Sequence, residues 1–408
     1  MNKIEALKKI DSLLGPPLVK ALSLLLLSQQ KRREKQERKP ERAATSFSVI
    51  PACPESGSAP PAVVPAAAIR LVLFIRPGGI GDAVHLIPAI RAFKAMIGSA
   101  EIHLLCEKRN AGVFSLCTEI SRIYLYDKGP GLLTCLANRY DAVIDTEQWH
   151  RLSAIMAVLS RAPVTVGFGT NDRKILFTHS VAYSHDDYEV LSFMHLLEPI
   201  MEPMLGPLTA TAPTFDDDAP FINVGEDVGE PEAGLQNLLP LYPGDTLVSI
   251  FPGASVKERQ WGGHRYGLVS AALIARGLKV AIIGAPSDTL HARAIIKQCP
   301  ACLDLTGKTS LAGTAAVLKR SGLLISADSG ILHLGVAVGT PTVSLFGPGI
   351  EKKWGPKGKR HRIINKCLPC SPCTEFGYTP TCKINVKCLS MITEDEVIEA
   401  AVELLADG

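Results

Sequence analysis

The glycine-rich run Arg76-Pro77-Gly78-Gly79-Ile80-Gly81-Asp82 puts one carboxylate at the mouth of a turn, where it could take a proton from a bound hydroxyl. Gly78, Gly79 and Gly81 let the backbone approach a ligand closely, and Asp82 is the ionisable side chain available for chemistry there. The plainer alternative is that Asp82 only caps the helix that follows. A dinucleotide fingerprint does not fit, because the third glycine position counted from Gly79 is Val84. A phosphate loop of the G-x-x-x-x-G-K-[ST] type fails too: Gly307-Lys308-Thr309 has Cys302 where the upstream glycine should stand.

Two further stretches suit an anion. In Pro252-Gly253-Ala254-Ser255-Val256-Lys257-Glu258-Arg259, the Ser255 hydroxyl, amides around Gly253 and cations at Lys257 and Arg259 match the needs of a diphosphate. A solvated loop carrying ordinary surface charge is the competing reading. In Asp328-Ser329-Gly330-Ile331-Leu332-His333, a strand ends at Asp328 and small residues open a helix whose free N–H groups favour negative charge. Asp328 as a cap and His333 as a satisfied core histidine are the alternatives.

A fourth group is Cys367, Cys370 and Cys373, followed by Cys382 and Cys388. Thiolates at this density suit a structural zinc better than an iron–sulfur cluster, since nothing else here suggests redox chemistry. Structural thiols or disulfides would fill the same pattern.

These groups need a frame to position them. Apolar runs at 71–76, 101–105, 121–126, 140–145 and 164–168 alternate with helix-compatible segments, and the rhythm resumes at 246–251, 278–283, 322–326 and 341–345. Such alternation predicts α/β architecture: two doubly wound, parallel-sheet domains of Rossmann type, covering 70–205 and 246–408 and facing a central cleft. Residues 206–245, rich in Pro, Gly and acids, read as the connector. All three candidate loops then fall at carboxyl ends of parallel strands, where ligands of such sheets bind. The last helix opens with a capping-box pattern at Thr393 and Glu396.

The 408 residues carry a formal net charge of +3, which gives nucleic-acid binding no support. Five of the 11 cysteines lie in 367–388 and the others in core-like segments, a distribution expected of a cytoplasmic protein rather than a disulfide framework. Residues 1–43 form an amphipathic helix with a basic flank, suited to the anionic inner face of a membrane or to docking on the protein's own body. The apolar run 21–27, interrupted by Lys20, is too short to span a bilayer. Residues 44–69, rich in Ala, Pro and Ser, read as a disordered linker. Basic residues in the first-domain loops 147–162 and 168–175 (Arg151, Arg161, Arg173, Lys174) are expected to face solvent rather than acceptor phosphates.

Taken in order, the Arg76–Asp82 motif with Pro88, the Pro252–Arg259 motif with Trp261, and Asp328-Ser329-Gly330 with His333 and Gly339-Thr340-Pro341 resemble glycosyltransferase family 9, the ADP-heptose:lipopolysaccharide heptosyltransferases and their relatives. The resemblance runs from about residue 69 to the C-terminus. It implies a GT-B fold and an inverting, metal-independent sugar transfer. The acceptor would be held mainly by the first lobe and the nucleotide sugar by the second. By position, Asp82 falls on the family's catalytic base, Ser255 and Arg259 on its diphosphate contacts, and Asp328, Ser329, Gly330 and His333 on the donor site. Thr306, Gly307 and Lys308 resemble a segment beside the nucleoside, and the segment ending at Asp288 resembles another. Ala254 departs from relatives that have a second hydroxyl there.

The activity so implied is transfer of a sugar, heptose from ADP-heptose, to a lipopolysaccharide-core or other lipid-linked acceptor at the inner-membrane surface. Catalysis would need no cofactor. A sugar-nucleotide epimerase of the same fold and a non-catalytic nucleotide-sugar-binding, membrane-associated protein are the alternatives.

Overall fold

Runs such as Leu71–Arg76 and Leu247–Phe251 are buried almost throughout, as strands covered on both faces must be. The computed structural model describes residues 3–37, 69–205, 215, 217–224 and 238–407. Most of the expected linker 44–69 and part of the connector 206–245 therefore lie outside the described residues.

The first sheet contains β1 (Leu71–Arg76), β2 (Glu101–Cys106), β3 (Arg122–Leu125), β4 (Ala142–Asp145), β5 (Val164–Phe168) and β6 (His179–Val181). The second contains β7 (Leu247–Phe251), β8 (Lys279–Ile282), β9 (Leu303–Asp304), β10 (Leu323–Ala327), β11 (Thr342–Phe346) and β12 (His361–Asn365). Their orders are β3-β2-β1-β4-β5-β6 and β12-β11-β10-β7-β8-β9, with every pairing parallel. Each lobe thus winds outward from its first strand in both directions. That creates a crevice beside β1 and β4 in one lobe and beside β7 and β10 in the other.

Helices complete the frame. The long N-terminal helix is α1 (Lys3–Glu37), and α2 (Ile80–Met96) follows β1. Next come α3 (Arg151–Leu159) and α4 (Glu189–His195) of the first lobe. The second lobe adds α5 (Gly330–Ala337), α6 (Glu351–Trp354) and the C-terminal α7 (Glu394–Asp407). The capping box forms as expected: Thr393 Oγ1 accepts from the Glu396 amide at 3.3 Å, and Glu396 accepts from the Thr393 amide at 2.7 Å.

Helix α1 does more than its apolar run implied. From Lys8 to Ser28 it is long and apolar enough to cross a membrane, the one such helix among the described residues. This rests on length and composition alone, and the unbroken apolar run within it is the shorter stretch 21–27. One side of the helix packs on the first lobe. Asp11 accepts from the amides of Arg151 and Leu152 at 2.7 and 2.8 Å, so it caps α3, whose own N-cap His150 makes no side-chain cap. Val19 is buried among Ala154, Ile155 and Leu176. The opposite side leaves Leu13, Leu14, Leu24 and Leu25 exposed.

The segments expected as acceptor loops are therefore structured: 151–159 is helix α3, and Asp172–Leu176 is a short 3-10 turn. Arg173 does not face solvent. It is fully buried, ion-paired with Asp145 and donating to the Glu147 carbonyl and Ser153 Oγ. Arg151 is half-buried against Asp172 at 2.6 Å, while Arg161 and Lys174 are exposed as expected.

Candidate active site

The two lobes touch most intimately where α2 and α5 begin. A Cβ on Gly330 would stand 2.7 Å from Ile80 Cβ and 3.0 Å from the Gly81 amide. One on Gly81 would stand 2.8 Å from Cδ2 of His333. Both positions need glycine, Gly330 because Ile80 and the Gly81 amide of the other lobe press on it and Gly81 because the His333 ring does. The first-domain turn and the Asp328–His333 segment, far apart in sequence, share one crevice.

Asp82 is not a cap. The N-cap of α2 is Gly79, which makes no side-chain cap bond, and Asp82 sits in the first turn with its side chain 26% exposed. Its carboxylate accepts from Arg76 Nη2 at 3.2 Å. Arg76 is buried; burial works against its charge, but Asp82, Glu147 and Glu189 outweigh that and hold it protonated. Asp328 is not a cap either, since Ser329 Oγ accepts from the Leu332 amide at 3.1 Å and does that work. Asp328 instead pairs with Arg259 at 2.8 Å.

Histidine 333 is enclosed, within electrostatic reach of Asp328, Asp82 and Arg259. Burial, the largest influence, holds its imidazole below the usual histidine range. His85 packs on it with ring centroids 4.2 Å apart and is held lower still by burial and by His333. Both are neutral at physiological pH, so the positive charge near the Asp328 carboxylate comes from Arg259. Arg259 Nε is buried with no hydrogen-bond partner, an unspent donor in the crevice.

The remaining donor-side residues gather at the ends of β7, β8 and β9. Asp288 lies against Gly253 and accepts from the Ala285 amide at 2.8 Å. The Gly307 amide donates to the Gly284 carbonyl at 2.8 Å, tying the 306–308 turn to that loop. Gly307 has φ +71, Thr306 Oγ1 is buried without a hydrogen-bond partner, and Lys308 Nζ reaches the Asp304 carbonyl at 2.6 Å. Ser255 is exposed at the rim, close in sequence to the short turn Lys257–Arg259.

The cysteine segment carries both exposed and buried thiols. Cys367, Cys370 and Cys373 are exposed, Cys388 is buried, and all five are free thiols. Among the described residues no group of three His, Cys, Asp or Glu side chains is placed to hold a metal ion. The segment also spans the cleft. Thr374 Oγ1 accepts from Arg259 Nη2 at 3.4 Å, and Phe376 stacks on Trp149 of the first lobe with centroids 4.5 Å apart.

Sequence reasoning gave no role to Arg76, which contacts the Asp82 carboxylate, nor to Gln148, Glu189 and Lys353, which follow one another in contact behind it. Arg76 carried a signal, as a charge ending an otherwise apolar strand. The other three stood in no motif.

This arrangement offers one partly exposed carboxylate facing a crevice whose far wall holds an arginine, spare N–H groups and a helix N-terminus. It can accept a proton from a hydroxyl on one side and stabilise a developing anion on the other. A family model, glycosyltransferase family 9 (heptosyltransferase), matches residues 134–382. Lipopolysaccharide heptosyltransferase 3 of Escherichia coli (strain K12) is 27% identical over 350 residues, 80% of this chain and 96% of that protein. Among solved structures, a family 9 glycosyl transferase from Veillonella parvula superposes with a TM-score of 0.69 at 21% identity, covering 85% of this chain and 99% of that one. The E. coli ADP-heptose lps heptosyltransferase II does so with a TM-score of 0.66 at 20% identity, covering 82% and 98%. With the family model spanning more than half of its length and two such sheets facing one crevice, this chain belongs to glycosyltransferase family 9.

Proposed function

We propose that the enzyme moves heptose from ADP-heptose to a hydroxyl of a lipopolysaccharide-core or other lipid-linked acceptor, with inversion and without a metal. The observation that carries this reading is the meeting of Asp82 with the Arg259–Asp328–His333 group across the lobes. Asp82 takes the proton of the acceptor hydroxyl as its oxygen bonds to the anomeric carbon. The bond from that carbon to the diphosphate breaks, and its electron pair leaves with ADP. Arg259, Ser255 and the N-terminus of α5 stabilise the departing charge, supplying the positive field that a cation would otherwise bring. Asp288 and the 306–308 turn hold the nucleoside.

The outward leucines of α1, with the basic run Lys31-Arg32-Arg33, suit the inner face of the cytoplasmic membrane, where a lipid-linked acceptor would be presented. Incubation with ADP-heptose and truncated core acceptor, following ADP release and the glycolipid mass, tests the assignment. Acceptor-dependent ADP with a heptose-sized mass gain supports it. Nucleotide-sugar binding without ADP release would leave a binding protein, and an altered sugar without transfer an epimerase.

A further inference from the structure

Asp82 is anchored by a series of contacts that ends in the opposite lobe. Arg76 Nη2 donates to Asp82 at 3.2 Å, its Nη1 donates to the Thr146 carbonyl at 2.6 Å, and both nitrogens reach Gln148 Oε1 at 3.3 Å. The other end of that amide, Gln148 Nε2, donates to Glu189 Oε1 at 2.6 Å. Glu189 Oε2 meets Lys353 Nζ at 2.9 Å, and both side chains are fully buried. Lys353 comes from α6 of the second lobe, yet the oxygens around it belong to the first. They are the Ser184 carbonyl at 2.7 Å, Ser192 Oγ at 3.1 Å and the Asp187 carbonyl at 3.2 Å, with the Tyr183 ring beneath at 4.2 Å.

We infer that Lys353 is a positioning residue for the Asp82 carboxylate, acting through Glu189, Gln148 and Arg76; this rests on Asp82 being the base. A buried carboxylate stays charged only if a cation compensates it. Burial already pushes the Glu189 carboxyl upward against the pull of Lys353, and nearby Asp82 adds to the push. Without the ammonium, Glu189 takes up a proton, and its charge-assisted bond to Gln148 becomes an ordinary neutral one. The Gln148 amide is then free to turn, and Arg76 loses the oxygen that orients both of its Nη atoms. Asp82 keeps its chemistry but loses its aim. Withdrawal of the second lobe would remove Lys353 in the same way, so the carboxylate is fixed only while the lobes are together.

The rival role for Lys353 is simple adhesion between lobes, and Gln148 separates the two. Gln148→Leu cuts the series but leaves the Lys353–Glu189 pair in place. The measurements are kcat and KM from ADP release, ADP affinity by calorimetry and the unfolding temperature, on full-length Gln148→Leu, Lys353→Met and Asp82→Asn. Gln148→Leu should lower kcat on the order of 10- to 100-fold, as small misplacements of a reacting group do. ADP affinity should stay unchanged, and the protein should remain folded with the loss of stability that an unfilled buried hydrogen-bond site brings. Lys353→Met, if it folds, should show the same loss of kcat. Should Gln148→Leu turn over normally while Asp82→Asn is inactive, the positioning role is wrong and the base assignment survives. A fall in ADP affinity as large as the fall in kcat would equally overturn it, by showing a general structural effect. Normal turnover by Asp82→Asn would instead remove the base assignment itself.

Discussion

His333 of the second lobe lies so close to Gly81 of the first that a methyl group on Gly81 would stand 2.8 Å from the imidazole Cδ2. This contact joins the two halves of the candidate site without a single hydrogen bond. Its mirror is Gly330, whose absent side chain leaves room for Ile80.

Gly330→Ala should therefore force the α2–α5 contact apart. Overpacking of a close-fitted interior costs about 1–3 kcal/mol, and here that cost falls on the closed arrangement of the lobes. The expected outcome is reduced kcat/KM together with a lower unfolding temperature, measured by ADP release and calorimetry. Full retention of both would mean that the lobes do not work at this separation.

Arg259→Met should weaken nucleotide binding more than it alters folding. The guanidinium has an unpartnered Nε in the crevice and neutralises Asp328, so its loss removes a donor and leaves a carboxylate facing the diphosphate. Hydrogen bonds to charged groups contribute about 1.5–3 kcal/mol, so ADP affinity should fall by roughly one to two orders of magnitude in calorimetry.

Asp11→Ala should release α1 from the first lobe, read as faster proteolysis between α1 and Ile69. The docking should also depend on pH from two sides. Burial pushes the Asp11 carboxyl up, but hydrogen bonds from His150 and the Leu152 amide pull it below its ordinary 3.8. Its stabilisation is present above that value and is lost as pH falls through the lowered one. His150 is opposed by burial yet raised above 6.5 by Asp11 and Glu147. Its share is full below 6.5 and is lost as pH rises through the raised value. Cleavage should be slowest in mildly acid buffer and faster on either side.

Arg173→Met should behave as a folding defect. Leaving Asp145 buried and unpaired costs about 3–5 kcal/mol, visible in denaturant unfolding. KM for the acceptor, measured on the folded fraction, should not change. A selective rise in acceptor KM would mean that Arg173 meets the substrate after all.

The architecture was legible largely because buried parallel strands announce themselves as continuous apolar runs. Three strands were missed, β6, β9 and β12, and all three lie at sheet edges. There β9 has only two residues, and β12 carries His361 and Arg362, so neither gives a buried run. Asp82, Arg259, Asp328 and His333 could be read because each sits in a local motif at the end of a strand. Lys353 and Glu189 could not, since a lysine in a surface-like sequence gives no sign that another lobe will close over it. Arg173 failed for the same reason. Charge suggested solvent, while its partner Asp145 lay hidden at the end of β4.

Helix α1 fills a hollow. A shortened chain beginning near Ile69 would leave Ala154, Ile155 and Leu176 facing water and the first amides of α3 without their acceptor. Trimming this protein to ease its handling would thus exchange one greasy surface for another, and the shortened form should clump rather than become better behaved.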